Sequence, residues 1–69
     1  MPLINIKLTP EGLTKEVKED LVKSFTNILV DKLGKNPKTT IVIIEEIPTN
    51  NWGISGKTVT SRRNKNGIN

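Results

Sequence analysis

Pro2 is the residue best suited to acid–base chemistry here, provided that it becomes the amino terminus. Met1-Pro2 opens the alternating run Leu3-Ile4-Asn5-Ile6-Lys7-Leu8. Within the uncleaved chain the proline nitrogen is a tertiary amide with no proton and no useful basicity. Removal of Met1, the expected outcome with a small side chain at position 2, makes it a secondary amine. An α-amino group titrates near pKa ~7.7–8.0, and an apolar pocket or a neighbouring cation lowers that value by disfavouring the ammonium form. The result is a general base poised near neutrality. Competing groups are few. The 69 residues include no His, Cys or Tyr, which excludes thiolate nucleophiles, disulfides and Cys/His zinc sites. No cofactor or metal is expected. The nine Lys and seven carboxylates could serve as bases only after large pKa shifts, whereas the terminal amine needs a small one. Many unrelated chains begin Met-Pro, so the surrounding elements must support the assignment.

Size and charge limit the setting. A chain this short is one domain, 1–69, and buries only ~60% of the surface exposed by its unfolded form. With 33% hydrophobic residues, Phe25 and Trp52 as the only aromatics and no covalent staple, further burial is expected from association with copies of itself. The apolar runs are too short to cross a bilayer, and the first residues lack a signal-peptide pattern, so a cytoplasmic protein without a membrane partner is expected. The net charge of +4 raises the question of nucleic acid. However, Lys15, Lys18, Lys23 and Lys32 alternate with Glu16, Glu19, Asp20 and Asp31 in the manner of a solvated helix face. Only Arg62-Arg63-Asn64-Lys65 is purely basic, and it lacks stacking aromatics. Nucleic acid is therefore disfavoured as a partner.

The elements that would position Pro2 follow from periodicity. Ile4, Ile6 and Leu8 alternate with Asn5 and Lys7, giving a strand over 2–8 with one covered face. Thr9-Pro10-Glu11-Gly12 breaks it. Thr14 is a helix cap, with Glu16 and Glu19 near the positive helix end. Val17, Leu21, Val22, Phe25, Ile28, Leu29 and Leu33 mark the apolar stripe of a helix of about five turns. Gly34 ends it, and Asn36-Pro37 prevents its resumption. The β-branched run from Thr39 to Ile47 predicts a second strand covered on both faces. The long connection predicts a parallel pair with a right-handed helical crossover. Thr49-Asn50-Asn51-Trp52-Gly53-Ile54-Ser55-Gly56 reads as a compact loop or hairpin. Thr58-Val59-Thr60 reads as a short edge strand, and residues from about 64 to 69 as a frayed tail. The class is α+β, a βαβ unit with a C-terminal hairpin. Two parallel strands leave edges and a face that call for partner subunits.

Several features together resemble the small subunits of the 4-oxalocrotonate tautomerase family, from Pro2 to about Arg63. They are Met1-Pro2 opening a strand, the βαβ length, Ile41-Val42-Ile43-Ile44-Glu45-Glu46, and Asn51-Trp52-Gly53-Ile54-Ser55-Gly56 followed by Lys57 and a basic end. The resemblance implies a tautomerase-like fold whose subunits pair into four-stranded sheets and commonly form hexamers. It also implies a terminal proline acting as general base between an enol and its ketone. Pro2 matches the catalytic proline, and Trp52 matches an aromatic position that closes the pocket. Leu13 and Ile41 match positions where the best-known members carry arginines that hold carboxylates and polarise a carbonyl. Apolar residues there would still desolvate the amine, but the transition state would lose a charge-assisted partner often worth ~3–4 kcal/mol. Arg62, Arg63, Lys35 or Lys38, from the same or a neighbouring subunit, could supply a replacement cation. As ordinary features, these are solvated surface charges and Trp52 is an interface anchor.

The resulting expectation is a homo-oligomeric isomerase, most simply a homohexamer. Pro2 is catalytic, and Trp52, Leu13, Ile41 and Arg62 contact the substrate. The substrate would be a small 2-hydroxy-dienoate or enolpyruvate-type acid, monoanionic or aryl-substituted. The alternative is a catalytically weak family member acting as an oligomeric scaffold or binding protein.

Overall fold

The computed structural model describes residues 1–65. Strand β1 is Leu3–Leu8 and strand β2 is Ile41–Glu46. They pair in parallel, with register running from Leu3↔Ile41 to Leu8↔Glu46. Helix α1, Lys15–Leu33, makes the crossover and has the expected ends. The Val17 N–H donates to the Thr14 hydroxyl at 3.1 Å, satisfying one of the open amides of the first turn. Gly34 closes the helix at φ 62°, and its N–H donates to the Val30 carbonyl at 2.9 Å. That left-handed backbone is costly for a residue with a Cβ.

Alternation divides the sheet into two unlike faces. Ile4, Ile6, Leu8, Val42 and Ile44 are half-buried, as are Leu21, Phe25 and Leu29 of α1, so the helix covers this side. Leu3, Ile41 and Ile43 point the other way and are 57%, 41% and 40% exposed. The second strand is therefore not covered on both faces within one chain, because the single helix crossover shields only one side. The outer face is mixed: toward its far end Lys7 pairs with Glu45 at 3.0 Å. That contact, chiefly the hydrogen bond from Lys7, holds the Glu45 carboxyl below the usual carboxylate range.

After β2 the chain forms an arm. The Ile47 N–H donates to the Leu8 carbonyl at 2.8 Å, continuing the ladder. A 3-10 turn at Thr49–Asn51 then leads to the hairpin of β3, Gly53–Ile54, and β4, Lys57–Thr58. Ser55 and Gly56 turn it at φ 53° and 78°, the paired positive φ of a tight two-residue hairpin. Helix α2 is Val59–Lys65. The expected strand Thr58-Val59-Thr60 is thus corrected: only Thr58 is strand, and Val59 and Thr60 begin a helix. The cause is local, since the Thr58 hydroxyl accepts from the Ser61 N–H at 3.1 Å as a helix cap. Asn64 and Lys65, expected in the tail, belong to α2, while residues 66–69 lie outside the described residues.

Among the described residues no side chain is fully buried. The Cα radius of gyration is 15.7 Å, against about 11 Å for a compact domain of this length. The apolar stripe of α1 is also wider than two strands can cover, leaving Val17, Ile28 and Leu33 40%, 49% and 63% exposed.

Candidate active site

Pro2 stands at the mouth of β1. Its ring is half-buried on the α1 side of the sheet, while Met1 before it is 89% exposed. The Ile41 N–H donates to the Pro2 carbonyl at 3.0 Å, so the residue carrying the candidate amine is fixed to β2. Continuing the register by one residue places Thr40 opposite Pro2. Thr40 is also half-buried, and its hydroxyl donates to the Asn36 carbonyl at 2.9 Å. The same asparagine accepts from the Lys38 N–H through its side chain at 2.9 Å and from the Thr39 N–H through its carbonyl at 3.1 Å. A 3-10 turn, Pro37–Thr39, results. Sequence reasoning treated Asn36-Pro37 only as a helix stop. An Asn cap followed by Pro at the first turn position is also a start signal, and it could have revealed this turn and Thr40 beside Pro2.

The other expected site residues are not gathered around Pro2 within one chain. Ile41 is adjacent through the backbone, yet its side chain projects from the opposite face with Leu3 and Ile43. Leu13 follows the far end of β1, where its N–H donates to the Pro10 carbonyl at 3.2 Å. Six strand residues separate that end from Pro2, roughly 20 Å at ~3.3 Å per residue. Trp52 and Arg62 lie in the arm beyond the same end of β2. The Trp52 indole N–H donates to the Ile47 carbonyl at 2.9 Å, and its own carbonyl accepts from the Val59 N–H at 2.9 Å. The ring is half-buried, and Ile54 nearby in the hairpin is 49% exposed. Arg62 is exposed on α2.

Two further ion pairs tie elements together. Arg63 pairs with Glu11, fastening α2 to the turn before α1. The hydrogen bond from Arg63, more than any other cause, lowers the Glu11 pKa from its ordinary 4.5 to about 2. Lys18 pairs with Glu46, joining the start of α1 to the end of β2. The hydroxyls of Thr49 and Thr60 bond to each other between the 3-10 turn and α2, next to a small open recess lined by Thr49, Thr60, Arg63 and Asn64.

A parallel βαβ unit with a proline at the mouth of its first strand and a hairpin arm after its second defines a tautomerase-type subunit. The sequence profile described as tautomerase enzyme matches residues 2–62, and the chain belongs to the tautomerase family. It is 56% identical over 63 residues to the probable tautomerase K2 of Dickeya dadantii, covering 91% of this chain and 94% of that one. It is 44% identical over 68 residues to a probable tautomerase of Helicobacter pylori, covering 96% and 100%. Among solved structures, DmpI from Helicobacter pylori superposes with a TM-score of 0.81 at 42% identity, covering 87% of this chain and 98% of that one. TomN, a 4-oxalocrotonate tautomerase homologue of the tomaymycin biosynthetic pathway, superposes with 0.83 at 32% identity, covering 91% and 95%.

Proposed function

We propose that the mature protein is an isomerase in which the Pro2 amine, freed by loss of Met1, interconverts a small enol acid and its ketone. The neutral amine takes the proton of the enol hydroxyl and becomes an ammonium. The electron pair left on oxygen forms the carbonyl, the carbon–carbon double bond shifts its electrons to the terminal carbon, and the ammonium returns the proton there. Nothing is gained or lost overall. The observation that carries this reading is the Ile41–Pro2 hydrogen bond, which holds the nitrogen at a half-buried strand mouth where partial dehydration favours the neutral base.

The working site is assembled from several copies of the chain. Pro2 lies at one end of the sheet, whereas Leu13, Trp52 and Arg62 lie at or beyond the other, and the exposed Leu3, Ile41 and Ile43 supply an apolar face for contact. A closed homo-oligomer such as a hexamer would cover that face and bring the arm of one copy to the Pro2 of another.

The test compares enol-to-ketone conversion, across pH, by mature protein and by a form that retains Met1. Activity confined to the mature form supports the amine; equal activity in both removes it from the mechanism. The apolar Leu13 and Ile41 favour a second reading, an oligomeric scaffold or binding protein with feeble catalysis. A screen of phenylpyruvate-like and muconate-like enols showing no turnover that depends on Pro2 would select that reading.

A further inference from the structure

The fold sorts the cations by the end of the sheet they occupy. Because α1 runs back against the two parallel strands, its last turn and the segment after it return to Pro2. The charged residues there are Asp31, Lys32, Lys35 and Lys38. Lys57, Arg62 and Arg63 lie in the arm at the other end. Three cations elsewhere are each engaged by a carboxylate: Lys7 by Glu45, Lys18 by Glu46 and Arg63 by Glu11. Lys32, Lys35 and Lys38 are all exposed, and none pairs with a carboxylate among the described residues.

The Lys38 backbone is the best fixed relative to Pro2. The Lys38 N–H is held by Asn36, Thr40 is held by the same residue, and the next amide, Ile41, is bonded to Pro2. Lys38 thus stands two residues before Thr40, the register partner of Pro2. Lys38 is the middle residue of the 3-10 turn Pro37–Thr39 that leads into β2 at the Pro2 end of the sheet. Its long, flexible stem carries a point charge suited to a carboxylate bound at that end. Lys35 belongs to the cap of α1, where its N–H donates to the Leu29 carbonyl at 3.3 Å, and is five residues from Thr40.

We propose that Lys38 is a substrate-binding residue, the cation that holds the carboxylate of an enol acid while Pro2 moves its proton. This rests on the Pro2 reading above. It adds a specificity: with one fixed cation beside Pro2 and apolar side chains at Leu13 and Ile41, the preferred substrate carries a single carboxylate next to the enol carbon, with an apolar remainder.

The experiment measures ketonisation of phenylenolpyruvate and of its methyl ester by the mature protein and by Lys38→Met, Lys38→Arg, Lys35→Met, Arg62→Met and Lys57→Met. Loss of one charge-assisted contact should raise KM for the acid by roughly tenfold or more in Lys38→Met, with kcat changed much less. Lys38→Arg should recover most of the affinity, Lys57→Met should match the parent, and the ester should not distinguish Lys38→Met from the parent. An unchanged KM for the acid in Lys38→Met overturns the assignment, whichever of Lys35→Met and Arg62→Met then raises it. So does an equal loss toward acid and ester, which would indicate altered structure. A parent protein inactive on both probes overturns the Pro2 reading itself, a result separate from any Lys38 effect.

Discussion

Ile41 donates its amide proton to the carbonyl of Pro2 across 3.0 Å while sending its side chain to the opposite face of the sheet. One residue therefore fixes the position of the candidate base through its backbone while its side chain stays 41% exposed on the outer face. The strand period of two produces this division, and it explains how position 41 can matter to Pro2 in two independent ways.

The first prediction uses the side chain. Ile41→Arg should preserve the backbone bond and add a cation on the outer sheet face. Turnover of a muconate-like dicarboxylate enol should improve, with KM falling about tenfold if one charged contact is gained, while phenylenolpyruvate improves less. Steady-state kinetics on both substrates checks this; a uniform loss on both would mean that position 41 does not face a substrate.

Changing the base itself should have the largest effect. Pro2→Ala, after Met1 removal, presents a primary amine without the ring that holds it against the sheet. The rate should fall by ~10²–10⁴-fold, the usual contribution of a positioned acid–base group. Circular dichroism and subunit state should match the parent, because the Pro2 carbonyl that binds Ile41 is retained as a backbone group.

The Glu11–Arg63 pair makes a prediction about acid. The folded Glu11 pKa is lowered from 4.5 to about 2, so between those values the unfolded chain binds more protons than the folded one. Stability from this contact is complete above pH 4.5 and is lost as pH falls toward 2. Glu11→Gln should consequently flatten the decline in thermal midpoint over that interval, and the two proteins should converge at its acid end. An acid limb identical in both proteins would show that the pair does not fasten α2.

At the end of α1, Gly34→Ala places a Cβ at φ 62° and should cost ~1–2 kcal/mol. Thr14→Ala removes the acceptor for Val17 and should cost ~1 kcal/mol. Urea denaturation measures both, at one fixed protein concentration because any self-association would make apparent stability concentration-dependent.

The βαβ unit was legible because each of its parts has a strong local signal: alternation in Leu3–Leu8, a threonine cap and glycine stop around α1, and a β-branched run in β2. Signals that can be read in two ways were less informative. Thr58 has strand propensity and helix-capping chemistry, and the cap prevailed at Val59. Asn36-Pro37 both stops one helix and starts a 3-10 turn, and only the first meaning was read, so Thr40 was missed. The Ile41-Val42-Ile43-Ile44 run indicated two apolar faces, and a sheet of only two strands with one helix leaves the second face uncovered in a single chain, as found. For the candidate site, Pro2 and Trp52 were recognisable by type and position. That Pro2 and Trp52 lie at opposite ends of the sheet follows from the parallel pairing, which the long connection between the strands predicts.

The most direct measurement is an NMR titration of the Pro2 nitrogen in mature, assembled protein labelled with ¹⁵N-proline. A half-buried amine acting as base should titrate clearly below the ~7.7–8.0 of a free terminus, and its midpoint should coincide with the acid limb of kcat/KM. A nitrogen that is still acylated by Met1, or that titrates as an ordinary solvent-exposed terminus, would contradict a catalytic role for Pro2.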